Sequence, residues 1–334
     1  MKFFKQQFQN LKWSLGRIFS AKKRQERKAF QLTIKTRHAL THKIANTGIS
    51  ASRIDEILSD TNNHYRRYYI PKADGSKREI CEPSSELRRL QKAVLTTIKT
   101  PKVSGFCTAY ETGSSVKKNA QKHQNAAHVL HIDIKDFFPS ITKKMFMDIY
   151  KPLVCYHFYC KNWETCEKCA AAKNLWRIVS LNGGLPIGAS TSPFIGNRVM
   201  ATADIELASL DKSLTYTRYA DDMVFSSKKP ISADFIQKVE AIINKHGFEI
   251  NHKKTYFMKS RKQVTGVLLI DGKLSVGTAY KKRLKKEIYN YLTKGTGKPQ
   301  TIKGKFTWLS HIEPEYAKTI KSKYLPLDNK GFWD

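Results

Sequence analysis

The chain has 334 residues, 60 of them Lys or Arg against 28 Asp or Glu, for a formal net charge of +32. That length buries a sizeable core and suits one catalytic unit with subdomains. The cationic excess argues against a merely soluble basic protein and for a polyanionic partner, with nucleic acid, whose condensed counterions are released on binding, the natural one. No run of about 18 apolar residues is present to cross a membrane and no secretory signal opens the chain, so the six cysteines read as thiols of a cytoplasmic protein.

In residues 1–30, Phe4, Phe8, Leu11, Leu15 and Ile18 recur at helical spacing in a basic background. This amphipathic helix either covers the core or docks on RNA, a partner protein or anionic lipid. Ser52-Arg53-Ile54-Asp55 resembles a capping box that opens a helix through Leu58. Two extended runs, Tyr65 to Ile70 and Lys77 to Cys81, flank an Asp-Gly turn and predict a hairpin. From Glu86 to Lys99 a helix places Leu87, Leu90, Val94 and Ile98 on one face and Arg88, Arg89 and Lys92 on the other.

Asn119 and His123 fall just before an apolar strand, Val129-Leu130-His131-Ile132-Asp133, which delivers Asp133 to its end with Asp136 soon after. A lone His there reads either as a satisfied structural residue or as an RNA contact. The helix-rich stretch near 141–180 holds Cys155, Cys160, Cys166 and Cys169 beside His157. Cys166 and Cys169 have zinc-knuckle spacing and Cys155 and Cys160 are looser, so one structural zinc is a candidate. Leu181-Asn182-Gly183-Gly184 marks a break. Ser192-Pro193 then predicts an N-cap and first-turn proline for a helix to about Leu210, with Ile195, Val199, Ala203 and Leu207 inward.

The strand-like runs Leu214 to Arg218 and Met223 to Ser227 bracket Tyr219-Ala220-Asp221-Asp222. Ser232 caps a helix with Phe235, Val239, Ile242 and His246 along one side, and Gly247 ends it. Lys253 and Lys254 follow a short strand, and Gln263 to Ile270 reads as a β-run. From Tyr280 a lysine-rich helical stretch interleaves Tyr289, Tyr291, Phe306 and Trp308, which suit a nucleic-acid groove or a helical core equally.

The chemistry lies in the carboxylates. On a regular strand Asp221 and Asp222 would point to opposite faces, but at a hairpin turn both can crowd one spot, either as a solvated turn or as a cation site. Asp133 supplies a third carboxylate from a second strand. Mg²⁺ takes oxygen ligands and completes its shell with water and substrate phosphates. Two such ions can activate an attacking hydroxyl and stabilise a leaving pyrophosphate.

Tyr219 to Asp222 resembles the YxDD box of reverse transcriptases, and Ile132 to Ser140 their first aspartate motif. Gly184 to Pro193 lies between them like the family's LPQG…SP motif, with Ile187 where Gln is usual, and Gly247 to Thr255 follows in the expected order. Asn119-Ala120-Gln121-Lys122-His123 is similar to the NAxxH motif of bacterial retron reverse transcriptases, and Val264-Thr265-Gly266 to their VTG triplet.

The resemblance implies an α+β, right-hand polymerase whose palm is an antiparallel sheet backed by helices. Its expected parts are a basic amphipathic extension over 1–48, fingers over 49–125, a palm over 126–262 with the Cys-rich insertion, and a primer grip and basic helical thumb over 263–334. It implies that Asp133, Asp221 and Asp222, with the backbone of Ile134, hold two Mg²⁺. Lys72, Arg78, Asp136, Phe137, Phe138, Gly188 and Lys254 (or Lys253) would meet the nucleotide, Phe138 as the steric gate against a ribose 2′-OH. Asn119, His123, Val264, Thr265 and Gly266 would serve retron RNA or local structure.

The implied activity is RNA-directed DNA synthesis on a cognate structured non-coding RNA, primed from an RNA 2′-OH to give branched msDNA, in phage defence beside a separate effector protein that this chain is not expected to carry. Alternatives are an intron-encoded or diversity-generating reverse transcriptase, or an RNA-binding scaffold that sequesters an effector.

Overall fold

A computed structural model describes residues 39–72, 75–98, 103–154, 170–258, 260–329 and 331–333. The basic N-terminal helix predicted over residues 1–30 and the cluster Cys155, Cys160, Cys166 and Cys169 lie outside the described residues. The chain divides into two compact units, one formed by Met1–Lys102 with Phe138–Val199 and the other by Val103–Phe137 with Met200–Asp334.

The first unit carries an antiparallel hairpin of β1 (Tyr65–Pro71) and β2 (Lys77–Pro83). Its strands are mostly exposed, with Tyr65 and Cys81 among the few buried side chains. The helix Ser85–Thr97 follows, N-capped by Ser84, whose Oγ accepts from the Leu87 N–H. As the periodicity requires, Leu87, Leu90, Val94 and Ile98 are all fully buried. They pack toward the helices Ala170–Val179 and Thr191–Val199. The buried Gln91 crosses the same interface, its amide donating to the Tyr65 hydroxyl and the Ile178 carbonyl.

Three predicted caps are corrected. Asp234, not Ser232, is the N-cap of the helix Phe235–Lys245, and its side chain makes no capping hydrogen bond. Ser50, not Ser52, caps the helix Ala51–Ser59, accepting from the Arg53 N–H at 3.2 Å, and Ser52 lies inside its first turn. Ser192 is likewise inside its helix, and its hydroxyl donates to the Pro186 carbonyl at 2.6 Å. The single helix expected to about Leu210 is two, Thr191–Val199 and Ala201–Ser209, separated at Met200.

The second unit is built on a four-stranded antiparallel sheet of β3 (His128–Asp133), β4 (Thr215–Tyr219), β5 (Asp222–Ser227) and β6 (Tyr256–Met258), in the order β4-β5-β3-β6. Val129, Leu130, Ile132, Met223, Val224 and Phe225 are buried along it. The helix Phe235–Lys245 meets the sheet through Phe235, edge-on to Phe225 at 5.1 Å. The helices Val116–His123 and Ala201–Ser209 contact β4.

The β-run predicted from Gln263 to Ile270 is a tight hairpin, β7 (Lys262–Val264) against β8 (Val267–Ile270), extended by β9 (Lys273–Ser275). Thr265 and Gly266 form its turn with φ of 46° and 84°. Beyond it the helices Thr278–Lys294, Pro299–Ile312 and Pro314–Tyr324 close on Leu284, Ile288, Leu292, Ile302, Leu309 and Ile320. Tyr291 and Phe306 pack on that core and Trp308 on the cluster around Val264 and Val267. Of the four aromatics expected to suit either a groove or a core, Tyr289 is the exposed one. Among the described residues no helix is long and apolar enough to cross a membrane.

Candidate active site

Antiparallel register brings the carboxylates together. β3 and β5 pair so that Asp133 lies opposite Asp222. β4 and β5 pair from Tyr219 to Asp222, leaving Ala220 and Asp221 as the loop of a two-residue hairpin. Ala220 takes φ of 59°, a conformation that costs a non-glycine residue about 1 kcal/mol or more. The turn is tied to the strand beside it by the Ile134 N–H, which donates to the Asp221 carbonyl at 3.0 Å. All three carboxylates thus sit where two adjacent strands end.

Their electrostatics are those of a site waiting for positive charge. Burial first, and then the charges of Asp222 and Asp133, push Asp221 up to about 6. Asp133 is buried, with one oxygen accepting from the Asn251 amide at 3.0 Å and the other facing Lys254 Nζ at 3.2 Å. Asp222 accepts from His131 Nε2 at 3.0 Å. His131 stacks on Tyr256 and its Nδ1 faces the Lys254 carbonyl. Burial works against the imidazolium, but the hydrogen bond and charge of Asp222 outweigh it and raise the His131 pKa.

Among the described residues no three His, Cys, Asp or Glu side chains close into a finished metal cage. The donor set nonetheless suits a hard divalent cation. It is all oxygen, the crowded Asp221 is held back from ionising, and such an ion as Mg²⁺ is commonly bound by one or two carboxylates with water and phosphate rather than by an all-protein cage.

Other predicted residues separate into those that remain accessible and those that do not. Lys72 and Arg78 are exposed on the β1–β2 hairpin of the first unit. Gly188 belongs to that unit too, with φ of 119° and its Cα so close to β2 that a Cβ would lie 2.9 Å from the Cys81 carbonyl oxygen. Ile187, at the position where Gln is usual, accepts from the Cys81 N–H through its carbonyl, so its main chain does the anchoring. Phe138 is half-buried, and its carbonyl accepts from the Leu185 N–H at 3.0 Å. Asp136 is exposed with φ of 44°. Of the two lysines considered, Lys254 is the one paired with Asp133.

Phe137 is a correction. Its ring is buried against Phe248 at 5.6 Å and lies 5.9 Å from the Arg218 guanidinium, so the side chain is core and any nucleotide contact at this position falls to the main chain.

Asn119 and His123 also spend their polar atoms inside. Both are buried, and the Thr217 hydroxyl donates to Asn119 Oδ1 at 2.6 Å. Having given its proton there, Thr217 accepts from His123 Nε2 at 2.7 Å, which leaves Nδ1 to accept from Ser226 at 2.7 Å. Burial, with the Lys122 charge, pushes His123 down to about 4, consistent with this neutral ring. Asn119 Nδ2 reaches Thr265 Oγ1 at 3.4 Å and Val264 is fully buried. The two retron-like motifs therefore meet, and for Asn119, His123 and Val264 the structure favours local support over RNA contact.

His131, Asn251, Arg218 and Asp204 went unassigned from the sequence. For His131 a signal existed, since the two-residue period of a strand sets it on the same face as Asp133.

Residues 70–292 match the family described as Reverse transcriptase (RNA-dependent DNA polymerase). The retron Mx162 reverse transcriptase of Myxococcus xanthus is 33% identical over 237 residues, covering 63% of this chain and 48% of the relative, so the chain spans about half the length of that protein. The retron Ec86 reverse transcriptase of Escherichia coli is 31% identical over 277 residues, with 80% of this chain and 81% of the relative covered. Among solved structures, a foamy viral protease-reverse transcriptase in complex with double-stranded DNA aligns with a TM-score of 0.41 at 17% identity, over 76% of this chain and 38% of that one. With the acidic turn, the opposing aspartate, the family match over residues 70–292 and the retron relatives in hand, the chain belongs to the reverse transcriptases, RNA-directed DNA polymerases, and within them to the bacterial retron group.

Proposed function

We propose that this protein copies part of a cognate structured non-coding RNA into branched msDNA, starting from an RNA 2′-OH, and that it does so in the bacterial cytoplasm as part of a phage-defence system with a separate effector. The observation that carries the catalytic part is the register of β3, β4 and β5, in which Asp133 faces Asp222 with Asp221 in the adjoining turn. In this reading the three carboxylates hold two Mg²⁺, whose chemistry is to activate the attacking hydroxyl and stabilise the leaving pyrophosphate. Asn251 and Lys254 orient Asp133, and His131 orients Asp222. In this reading Lys254 also gives a proton to the leaving pyrophosphate.

The ring of Phe138 serves as gate against a ribose 2′-OH, while Lys72 and Arg78 neutralise the triphosphate. Residues 49–125 act as fingers, 126–262 as palm and 263–334 as primer grip and thumb, and the charge of +32 supplies the affinity for RNA. Phosphate contacts carry no sequence information, so choice of the cognate RNA rests on its shape and unpaired bases.

The test is sequencing of the RNA and DNA that co-purify with the protein, followed by a priming assay. The expected product is DNA joined to its RNA through a 2′,5′ linkage that a debranching enzyme releases. DNA made only from the 3′-OH of an added primer, with equal binding of an unrelated RNA, refutes the retron priming reading.

A further inference from the structure

The largest of the fully buried side chains is a charged one, Arg218 on β4, one residue before the acidic box. Its partner Asp204, on the helix Ala201–Ser209, is equally inaccessible. The pair is bidentate, Arg218 Nε to Asp204 Oδ1 and Nη2 to Oδ2, each at 2.8 Å. Asp204 is completed by the Tyr216 hydroxyl and the Ser104 hydroxyl, both at 2.8 Å. That leaves Arg218 Nη1, which donates to the Ala220 carbonyl at 2.9 Å.

A buried ion pair is a poor device for stability alone, because its desolvation offsets most of its attraction and an apolar pair of similar volume does as well or better. What it supplies is a rigid donor at a defined place. The donor here points at the one residue of the hairpin loop that must hold a left-handed backbone, Ala220. The backbone of Arg218 is fixed as well. Its N–H donates to the Phe106 carbonyl at 2.9 Å, and its carbonyl accepts from the Thr108 N–H and hydroxyl at 2.8 and 3.0 Å. The guanidinium is therefore anchored at both ends and the turn hangs from it.

We propose that Arg218, clamped by Asp204, is a positioning residue for the acidic turn: by holding the Ala220 carbonyl it sets where Asp221 and Asp222 present their carboxylates to a divalent cation. The inference rests on the metal-binding reading of those carboxylates. It makes Arg218 and Asp204 parts of the polymerase site although neither touches substrate. Lys cannot replace Arg here, because a single ammonium cannot span both Asp204 oxygens and still reach the Ala220 carbonyl.

The test uses the full chain with its co-purified RNA, comparing the parent with Arg218→Lys and Tyr216→Phe. Manganese binding is followed by electron paramagnetic resonance in the absence of nucleotide, and DNA synthesis as a function of Mg²⁺ concentration. For Arg218→Lys that remains folded by thermal melting, the expected result is Mn²⁺ affinity about tenfold weaker, a Mg²⁺ requirement raised to match, kcat reduced at limiting Mg²⁺ and partly restored at high Mg²⁺, and a dNTP KM and RNA affinity within about twofold of the parent.

A merely structural role lowers the melting temperature and leaves the metal dependence of the folded fraction alone, and that result overturns the inference. If Arg218→Lys does not fold, Tyr216→Phe decides. It removes one hydrogen bond from Asp204 and keeps the ion pair, and a two- to threefold weaker Mn²⁺ affinity supports the inference where none overturns it. A parent that binds no Mn²⁺ and makes no DNA overturns the metal reading itself and this inference with it, an outcome distinct from an active parent with an unaffected variant.

Discussion

Replacing Asp221 by Asn should make the metal-free protein more stable at neutral and alkaline pH while abolishing DNA synthesis. Burial and the charges of Asp222 and Asp133 raise the Asp221 carboxyl from an ordinary 3.8 to about 6. A shift of about 2 pH units corresponds to roughly 3 kcal/mol of penalty on the ionised form, which water and salt reduce to about 1–2 kcal/mol at a partly accessible turn. The folded state holds this proton more tightly than the unfolded chain. The penalty is therefore fully present above about pH 6 and fades as the pH falls toward the unfolded value of 3.8.

Asn occupies nearly the same volume and carries no charge, so Asp221→Asn should gain about 1–2 kcal/mol at about pH 8. The gap should narrow at about pH 4.5, where the folded parent is protonated but the unfolded chain is still mostly ionised, and close only as the pH falls below the unfolded value of 3.8. Denaturant midpoints at both pH values in the presence of a chelator measure the difference. Added divalent cation should then stabilise the parent, by the mass action of binding to the folded state, and leave the variant unmoved. Since a bound cation competes with the proton, metal-dependent synthesis by the parent should rise with pH through about 6. An Asp221→Asn protein that is less stable than the parent at about pH 8 without metal would refute the view that these carboxylates repel one another in a site built for a cation.

Three further outcomes follow from single contacts. Phe138→Ala should raise incorporation of ribonucleotides relative to deoxynucleotides without weakening RNA binding, and an unchanged ratio in a competition assay removes Phe138 from the gate. Gly184→Ala places a Cβ 2.2 Å from the Pro139 carbonyl oxygen, backbone that cannot swing aside, so a loss of about 1–3 kcal/mol is expected in a denaturant melt, with nucleotide discrimination altered because Phe138 is bonded to the neighbouring Leu185. His123→Ala strands the Ser226 hydroxyl and takes from Thr217 the donor it accepts from, leaving it only its bond to Asn119, and should cost about 2–3 kcal/mol. The salt slope of RNA binding should stay that of the parent, since an enclosed neutral ring neutralises no phosphate; a smaller slope would return His123 to the RNA interface.

The parts of this site that could be read from the sequence are those whose signal is local. Alternating apolar residues from Val129 to Ile132 announce a strand, and strand-turn-strand patterning around Tyr219 to Asp222 announces a hairpin. The parts that could not be read depend on partners far along the chain. Arg218 finds Asp204 across an intervening helix end and strand. His123 finds Thr217 and Ser226 on strands that come about a hundred residues later, at separations of 94 and 103. No local period encodes such pairings. Charged and polar residues beside a lysine-rich background read by default as solvated, which is why the sequence left Asn119 and His123 between RNA contact and local structure, and their burial favours the second.

The residues that carry the retron resemblance lie against the strands of the acidic turn, and the reason is physical. Asn119, Thr217, His123 and Ser226 join the helix Val116–His123 to the two strands that carry the acidic turn, and Thr265 brings the β7–β8 turn onto the same helix. A turn that crowds repelling carboxylates and holds a strained alanine gains little from its own local interactions. It must be fixed by what surrounds it, and hydrogen bonds to buried polar groups fix direction where apolar packing fixes only distance.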